Sequence, residues 1–181
     1  MLERFTARAR AAVTAAEPLA RQEGAASITG RHLLLAVVAD PGSGAAQVLA
    51  GLGLPPDAVR SVLGPPDAVG PAGLSAADAA ALQGLGIDVA DVARRFEQQH
   101  GTPLGGPSRR PTRRPRLDRT ARAALAHAVH TAQQARHGAI GTEHVLLGVL
   151  HEQGPDGPLA VRGATEAAAR AAVVTGWRRA G

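Results

Sequence analysis

Between Phe5 and Glu23 the apolar residues Phe5, Ala9, Ala12, Val13, Ala16 and Ala20 recur at three- and four-residue spacing. That is the stripe of an amphipathic helix with one face in a core. Pro18 falls inside it and conflicts mildly, because proline lacks the N–H that a helix interior uses. From Gly30 to Ala39 apolar residues lie on almost every face, which marks a buried helix. Shorter helices are predicted over Ala45–Leu52, ending at the turn glycine Gly53, and over Ala58–Leu63, opened by Pro55-Pro56-Asp57. Gly64–Leu74 is rich in Pro and Gly and reads as loop. Ser75 then caps a helix over Ala76–Leu82, and Asp88 caps another over Val89–His100. Leu85-Gly86-Ile87 followed by Val92 echoes Leu52-Gly53-Leu54 followed by Val59, so this stretch reads as an inserted helical pair. Beyond it the pattern of the first forty residues returns: a long amphipathic helix from Asp118 to about Arg136, a buried one over Glu143–His151, and a last helix from Thr165 to about Trp177.

The return is a duplication at a fixed offset. Phe5–Ala39 aligns on Leu117–His151 without a gap, 112 residues apart, with 12 of 35 pairs identical. Five of the twelve are Ala–Ala in an Ala-rich chain, so the weight rests on Arg10/Arg122, Gln22/Gln134, Ile28/Ile140, His32/His144, Leu34/Leu146 and Leu35/Leu147. Each copy opens on a polar residue, Thr6 or Asp118, and its loop holds Gly24 or Gly138. Thr142, and Thr29 or Ser27 in the first copy, are the natural N-caps of the buried helices. A repeated unit of this kind is read before any single motif. The expectation is an all-α, pseudo-twofold tandem repeat of two four-helix units. Its parts are repeat 1 over 1–64, the inserted loop and helical pair over 65–100, a linker over 101–116 and repeat 2 over 117–181.

Composition agrees and adds limits. Aromatic residues make up 2% of the 181 residues and Cys is absent, which favours helix and removes disulfides and thiolate metal sites. Every one of the 20 basic residues is Arg. Residues 1–100 hold eight Arg against ten acidic residues, a net of −2, and 101–181 hold twelve against five, a net of +7. Much of the excess lies in Arg109, Arg110, Arg113, Arg114 and Arg116. The segment Gly101–Arg116 carries four Pro, three Gly and five Arg and reads as an extended or flexible tether. It offers phosphates a salt-sensitive contact but no aromatic residues for base stacking, so nucleic acid is the weaker reading. No apolar run approaches the length of a membrane span and the N-terminus has no apolar signal core, so the expected compartment is the cytoplasm.

Candidate chemistry is sparse. Of seven histidines, His127 and His130 stand three apart with His137 further on, but no HExxH, no carboxylate at ligand spacing and no Cys accompany them. They are expected to pack or face solvent, and no metal or cofactor is expected. His32 and His144 are expected to be structural. Gly42-Ser43-Gly44 lacks the setting of a nucleophile elbow, and no Walker A sequence is present. Enzymatic activity is not expected. What repeats is a helix start: N–H groups there attract an anion and a nearby carboxylate attracts a cation. If the first helix of each copy approaches the same copy's Arg31 or Glu143 position, the site suits a small zwitterionic group. The plainer alternative is that Glu143 only complements its own helix dipole.

Two runs carry a resemblance: Leu2-Glu3-Arg4-Phe5-Thr6-Ala7-Arg8-Ala9-Arg10, and Ile140-Gly141-Thr142-Glu143-His144-Val145-Leu146-Leu147-Gly148-Val149-Leu150. With Val48-Leu49, Leu52-Gly53-Leu54 and Ala58-Val59-Arg60, they resemble the tandem repeat at the N-terminus of Clp-type AAA+ unfoldases, in particular the Gram-positive and actinobacterial ClpC branch. The resemblance covers nearly all the chain outside about Gly64–Arg116. It implies a non-catalytic domain that receives protein substrates or adaptors for an unfoldase–protease. In the ClpC branch each repeat carries a phosphoarginine pocket, built on the Thr that starts the first helix and the Glu before the His. Here the first copy has Thr6 but Arg31, and the second has Glu143 but Asp118. Arg31 repels a guanidinium and Asp118 a phosphate, which weighs against phosphoarginine at both. The resemblance also implies cyclic peptide binding through Leu2, Phe5, Val13 and Leu117. ATPase modules are absent, so the chain is expected to act as a stand-alone adaptor, competitor or sequestering decoy, or else to be the head of a longer unfoldase.

Overall fold

The computed structural model describes residues 3–64, 81–101 and 114–180. Leu2, most of the helix expected over 76–82 and residues 102–113 of the tether lie outside the described residues. The chain forms two units, one made of residues 1–63 and 113–181, the other of residues 64–112.

In the larger unit, helix α1 (Ala7–Gln22) starts where the Thr6 hydroxyl accepts the N–H of Ala9 at 3.2 Å. Ala9, Ala12, Val13, Ala16 and Ala20 face the core as the stripe requires, and the helix carries exposed Pro18 without a break. It ends at Gly24, whose positive φ of 67° lets Ala25 return its N–H to Ala20. Strand β1 (Ser27–Ile28) leads into α2 (Gly30–Val38), on which Leu33, Leu34, Val37 and Val38 are no more than 1% exposed. Helix α3 (Gly44–Gly51) follows. Ser43 accepts the N–H of Ala46 at 3.1 Å and donates its hydroxyl to the Val37 carbonyl at 2.6 Å. Gly53 makes the turn to α4 (Pro56–Leu63).

The second copy runs through β2 (Arg116–Leu117), α6 (Arg119–Gln134), α7 (Thr142–Gln153), a single 3₁₀ turn at Ala160–Arg162 and α8 (Glu166–Ala180); α5 (Val89–His100) belongs to the smaller unit. Helix α7 buries every residue from His144 to Leu150 because α2, α3, α6 and α8 surround it. Gly148 permits the approach of α6, since a Cβ built on it would overlap the carbonyl oxygen of Ala124. The two copies share one continuous core that runs from Phe5 to Val173.

One expectation about the ends of these helices is corrected. Gly141, not Thr142, is the N-cap of α7. The Thr142 hydroxyl instead accepts the N–H of Ala45 at 3.2 Å, across to the first turn of α3. The left-handed residue that ends α6 is Arg136 (φ 56°), 112 residues after Gly24.

The copies interlock through two short parallel pairings. Ser27 and Ile28 pair with Arg116 and Leu117, and Phe5 pairs with Ile140. The same offset of 112 turns one pairing into the other, so the strand before each first helix is held by the loop of the opposite copy. The fold is thus all-α in its layers and pseudo-twofold in its connections.

In the smaller unit α5 (Val89–His100) is capped by Asp88, which accepts the N–H groups of Ala90 and Asp91 at 2.9 and 3.1 Å. The turn before it copies the α3–α4 corner. Ile87 donates to Leu82 at 2.9 Å as Leu54 does to Leu49 at 2.8 Å, and Gly86 and Gly53 share a φ of 80°. Among the described residues no helix is long and apolar enough to cross a membrane.

Candidate functional site

Glu143 lies where two helices begin. It is in the first turn of α7, and a Cβ added to Gly44, the first residue of α3, would come within 2.7 Å of its Oε2. With Thr142 already bonded to Ala45, the positive ends of α3 and α7 meet at one carboxylate. Burial by itself would raise the Glu143 carboxyl. The His144 ring 3.2 Å away, the bond to its own backbone N–H and the nearby His137 ring outweigh burial and hold it below the usual range. It is therefore an anion at neutral pH.

His144 Nδ1 stands 3.2 Å from Glu143 Oε1 and receives the N–H of Gly141 at 2.9 Å, while Nε2 meets His137 Nδ1 at 3.1 Å. His32 repeats the arrangement: Nδ1 accepts the N–H of Thr29 at 2.9 Å, and Nε2 is 2.9 Å from Glu23 Oε2. Burial lowers the His32 pKa against the pull of Glu23. Both histidines, as expected, organise the start of a buried helix.

Among the described residues, Glu143 is the one charged residue lining a groove of about 840 Å³ between α3 and α8. Val48, Leu52, Ala168 and Ala172 form apolar parts of its walls, with Gln47 and Thr175 as polar points. The reading of the sequence missed this groove. Its signal was the small residues Gly44, Gly51, Ala168, Ala172 and Gly176 on two segments that nothing in the sequence brings together.

The other candidates are distributed differently from the expectation. The sequence pattern pairs Thr6 with Arg31 and Asp118 with Glu143, each within its own copy. The backbone N–H of Thr6 instead bonds Ile140 O, three residues before Glu143, and that of Asp118 bonds Ile28 O, three before Arg31, both at 2.9 Å. The pairing is crossed because each first helix enters through the opposite copy's loop. Arg31 donates to the Leu63 carbonyl at 2.7 Å and lies 3.4 Å from Glu23 Oε1. Asp118 caps α6 by accepting the N–H of Ala121 at 2.7 Å, and its charge reaches His32. Phe5 and Val13 are packed in the core, Leu117 is half-buried in β2, and Leu2 is outside the described residues. Ser43 is buried, with its hydroxyl engaged by Val37 and Ala46.

The model of the Clp repeat (R) N-terminal domain matches residues 4–70 and 73–159. An uncharacterised protein of Mycobacterium tuberculosis and one of Mycobacterium bovis are each 31% identical over 172 residues, covering 95% of this chain and 53% of theirs. The chain thus spans about half the length of these curated relatives. Among solved structures, the N-terminal domain of the caseinolytic protease-associated chaperone ClpD from Arabidopsis thaliana superposes with a TM-score of 0.54 at 17% identity, covering 98% of this chain and 97% of that one. The Hsp104 N-terminal domain from Candida albicans gives 0.55 at 17% identity, with 95% and 90% covered. A protein from work on a malarial protein secretion system gives 0.63 at 12% identity, with 97% and 96% covered. At such identities the structural likeness shows the fold. The two family matches take in both buried helices and the interlocked starts of both copies, and the chain belongs to the Clp repeat (R) N-terminal domain family.

Proposed function

We propose that this chain is a non-catalytic recognition module that binds protein or peptide segments within a Clp-type system. It would deliver them to an unfoldase–protease as substrate receiver or adaptor, or hold them back as a decoy, cyclic peptides included. The observation that carries the reading is Glu143, an ionised carboxylate at two helix starts and the one charge that the described residues bring to an apolar groove. Such a groove suits a segment with apolar side chains and one cation, and a sole carboxylate pays for a guanidinium's lost hydration only if the two meet directly.

The crossed connection bears on how many such sites there are. Thr6 and Glu143, the two residues that keep the ClpC-type pattern, approach one junction through Ile140, where Arg8 also reaches the Gly42 carbonyl at 2.6 Å. Arg31 and Asp118, the two departures, approach the other. One junction thus pairs an anion-attracting helix start with a carboxylate, whereas the other carries Arg31, engaged by Glu23 and the Leu63 carbonyl, and Asp118, engaged as a helix cap. The reading implies one binding site per chain, and phosphoarginine is an admissible ligand at the Thr6–Glu143 junction alone.

Calorimetry of the full chain with an arginine-phosphorylated peptide, its unmodified counterpart and a cyclic peptide tests this. One equivalent of at least one ligand should bind, and Glu143→Gln should weaken it about tenfold or more, the scale of a lost charge-assisted contact. Absence of binding for all three, or binding unchanged in Glu143→Gln, contradicts the proposal.

A further inference from the structure

We propose that His127, His151 and Glu166 bind one divalent transition-metal ion of the zinc class, clipping the first turn of α8 to α6 and α7. The three residues come from three helices and are far apart in sequence, yet one ligand atom from each lies within 4.8 Å of the others. His151 Nδ1 is 2.9 Å from Glu166 Oε2, and His127 Nε2 is 3.6 Å from Glu166 Oε1. Two imidazole nitrogens and one carboxylate oxygen are the donor set of three-ligand zinc sites, which leave a further position open. Borderline cations prefer this set to the all-oxygen sets that suit magnesium or calcium.

A second observation points the same way. His127 Nε2 is buried without a hydrogen-bond partner among the described residues. A buried polar atom left so calls for an explanation, and an ion seated at the cluster supplies one. Arg170 donates to Glu166 Oε1 at 2.7 Å, which fixes the carboxylate as an outer partner does around bound metals and leaves Oε2 for the ion. Its positive charge lowers affinity without occupying that oxygen. The rings of His127 and His151 stack 3.9 Å apart at 17°, so their lone pairs run side by side. Binding must turn one ring, and His151, with 48% of its side chain exposed against 17% for His127, is the less confined of the two.

The expectation that these histidines only pack or face solvent rests on the lack of an HExxH, a Cys or a carboxylate at ligand spacing near His127 and His130, whose ring centres lie 6.4 Å apart. A chain-distant carboxylate at Glu166 completes the set instead. Because Glu166 leads directly into Ala168 and Ala172, an ion here would also firm one wall of the groove.

The test uses the full chain after chelator treatment, with Zn²⁺ followed by calorimetry and Co²⁺ by its visible absorption. One equivalent should bind. His151→Ala and Glu166→Gln should each weaken binding at least tenfold, and His130→Ala should leave it unchanged. Histidine ring ¹⁵N spectra of the parent protein give a readout that needs no variant: His127 and His151 should shift together on Zn²⁺, and His130 should not. No saturable uptake, or uptake indifferent to His151→Ala and Glu166→Gln (an adventitious ion only), overturns the proposal. Neither result depends on whether the groove binds peptides.

Discussion

The backbone N–H of Thr6 bonds the carbonyl oxygen of Ile140 at 2.9 Å, tying the entrance of the first helix to the loop of the second copy. Asp118 and Ile28 make the same bond the other way round. Each copy therefore supplies an edge that the other requires, and the core between them is continuous. Residues 1–64 and 114–181 produced as separate fragments should each lack a cooperative thermal transition by circular dichroism, and mixing them should restore one. Either fragment melting alone with the parent's midpoint would show that interlocking contributes nothing to stability.

Arg136 is the one described non-glycine residue at positive φ. A left-handed L-residue costs on the order of 1–2 kcal/mol, partly offset by the extra freedom glycine has when unfolded. Gly24 occupies the equivalent turn of the first copy without that cost. Arg136→Gly should raise the stability by about 0.5–1 kcal/mol, measured by urea denaturation. A loss of stability would mean that the Arg136 side chain contributes more than its backbone costs.

Gly148 and Ala36 are equivalent positions on the two buried helices, yet they are not interchangeable. A Cβ on Gly148 would overlap the Ala124 carbonyl oxygen, a backbone atom that can yield only by parting α6 from α7. Gly148→Ala should cost about 1–3 kcal/mol through overpacking, despite alanine's better helix propensity. Ala36→Gly should cost about 1 kcal/mol. The order of the two unfolding midpoints checks the asymmetry, and an unharmed Gly148→Ala protein would refute it.

What was legible in the sequence follows from what periodicity and repetition can encode. The stripe from Ala9 to Ala20 and the all-round apolar runs at Leu33–Val38 and Val145–Leu150 gave helices and burial directly, because both are local properties. The offset of 112 showed that the halves are alike, but likeness is silent on which end of one meets which end of the other. Same-copy and crossed pairing of Thr6, Arg31, Asp118 and Glu143 are equally compatible with it. Contacts spent across the chain were invisible for the same reason. Thr142 reads as a cap for its own helix while its hydroxyl serves Ala45, and His127 reads as a partner of His130 while it stacks on His151.

Gly44 gives a way to perturb the groove without perturbing the fold. Alanine there would press on the Glu143 carboxylate, the far end of a flexible side chain, so the side chain can turn aside. Helix propensity in α3 offsets the residual strain. Gly44→Ala should change stability by less than about 1 kcal/mol and still weaken whichever peptide the groove binds. Parallel thermal melts and calorimetry separate the two effects. Equal affinity in the variant would show that the position of Glu143 near Gly44 does not matter for the ligand.

Acid should destabilise the protein in two stages, in an order set by the groups that are buried. Burial holds His32 below its ordinary value of 6.5 while Glu23 pulls it up and Arg31 adds to the fall; burial and then the neighbouring His151 do the same to His127. A lowered histidine favours the neutral ring in the fold. Its contribution is whole above 6.5, shrinks as pH falls below that value and is gone once pH passes the folded pKa. Glu143 and Glu166 are held below their ordinary 4.5, so their contributions persist above 4.5 and are lost only as pH falls further, through their folded values. The melting temperature should therefore be flat above 6.5, decline between 6.5 and 4.5, and decline again below 4.5. Glu23→Gln removes the group that raises His32, so the folded pKa drops further and the first decline deepens, beyond any uniform loss at neutral pH. Scanning calorimetry of both proteins across this range checks it: a Glu23→Gln curve parallel to the parent's would show that His32 does not govern the first stage.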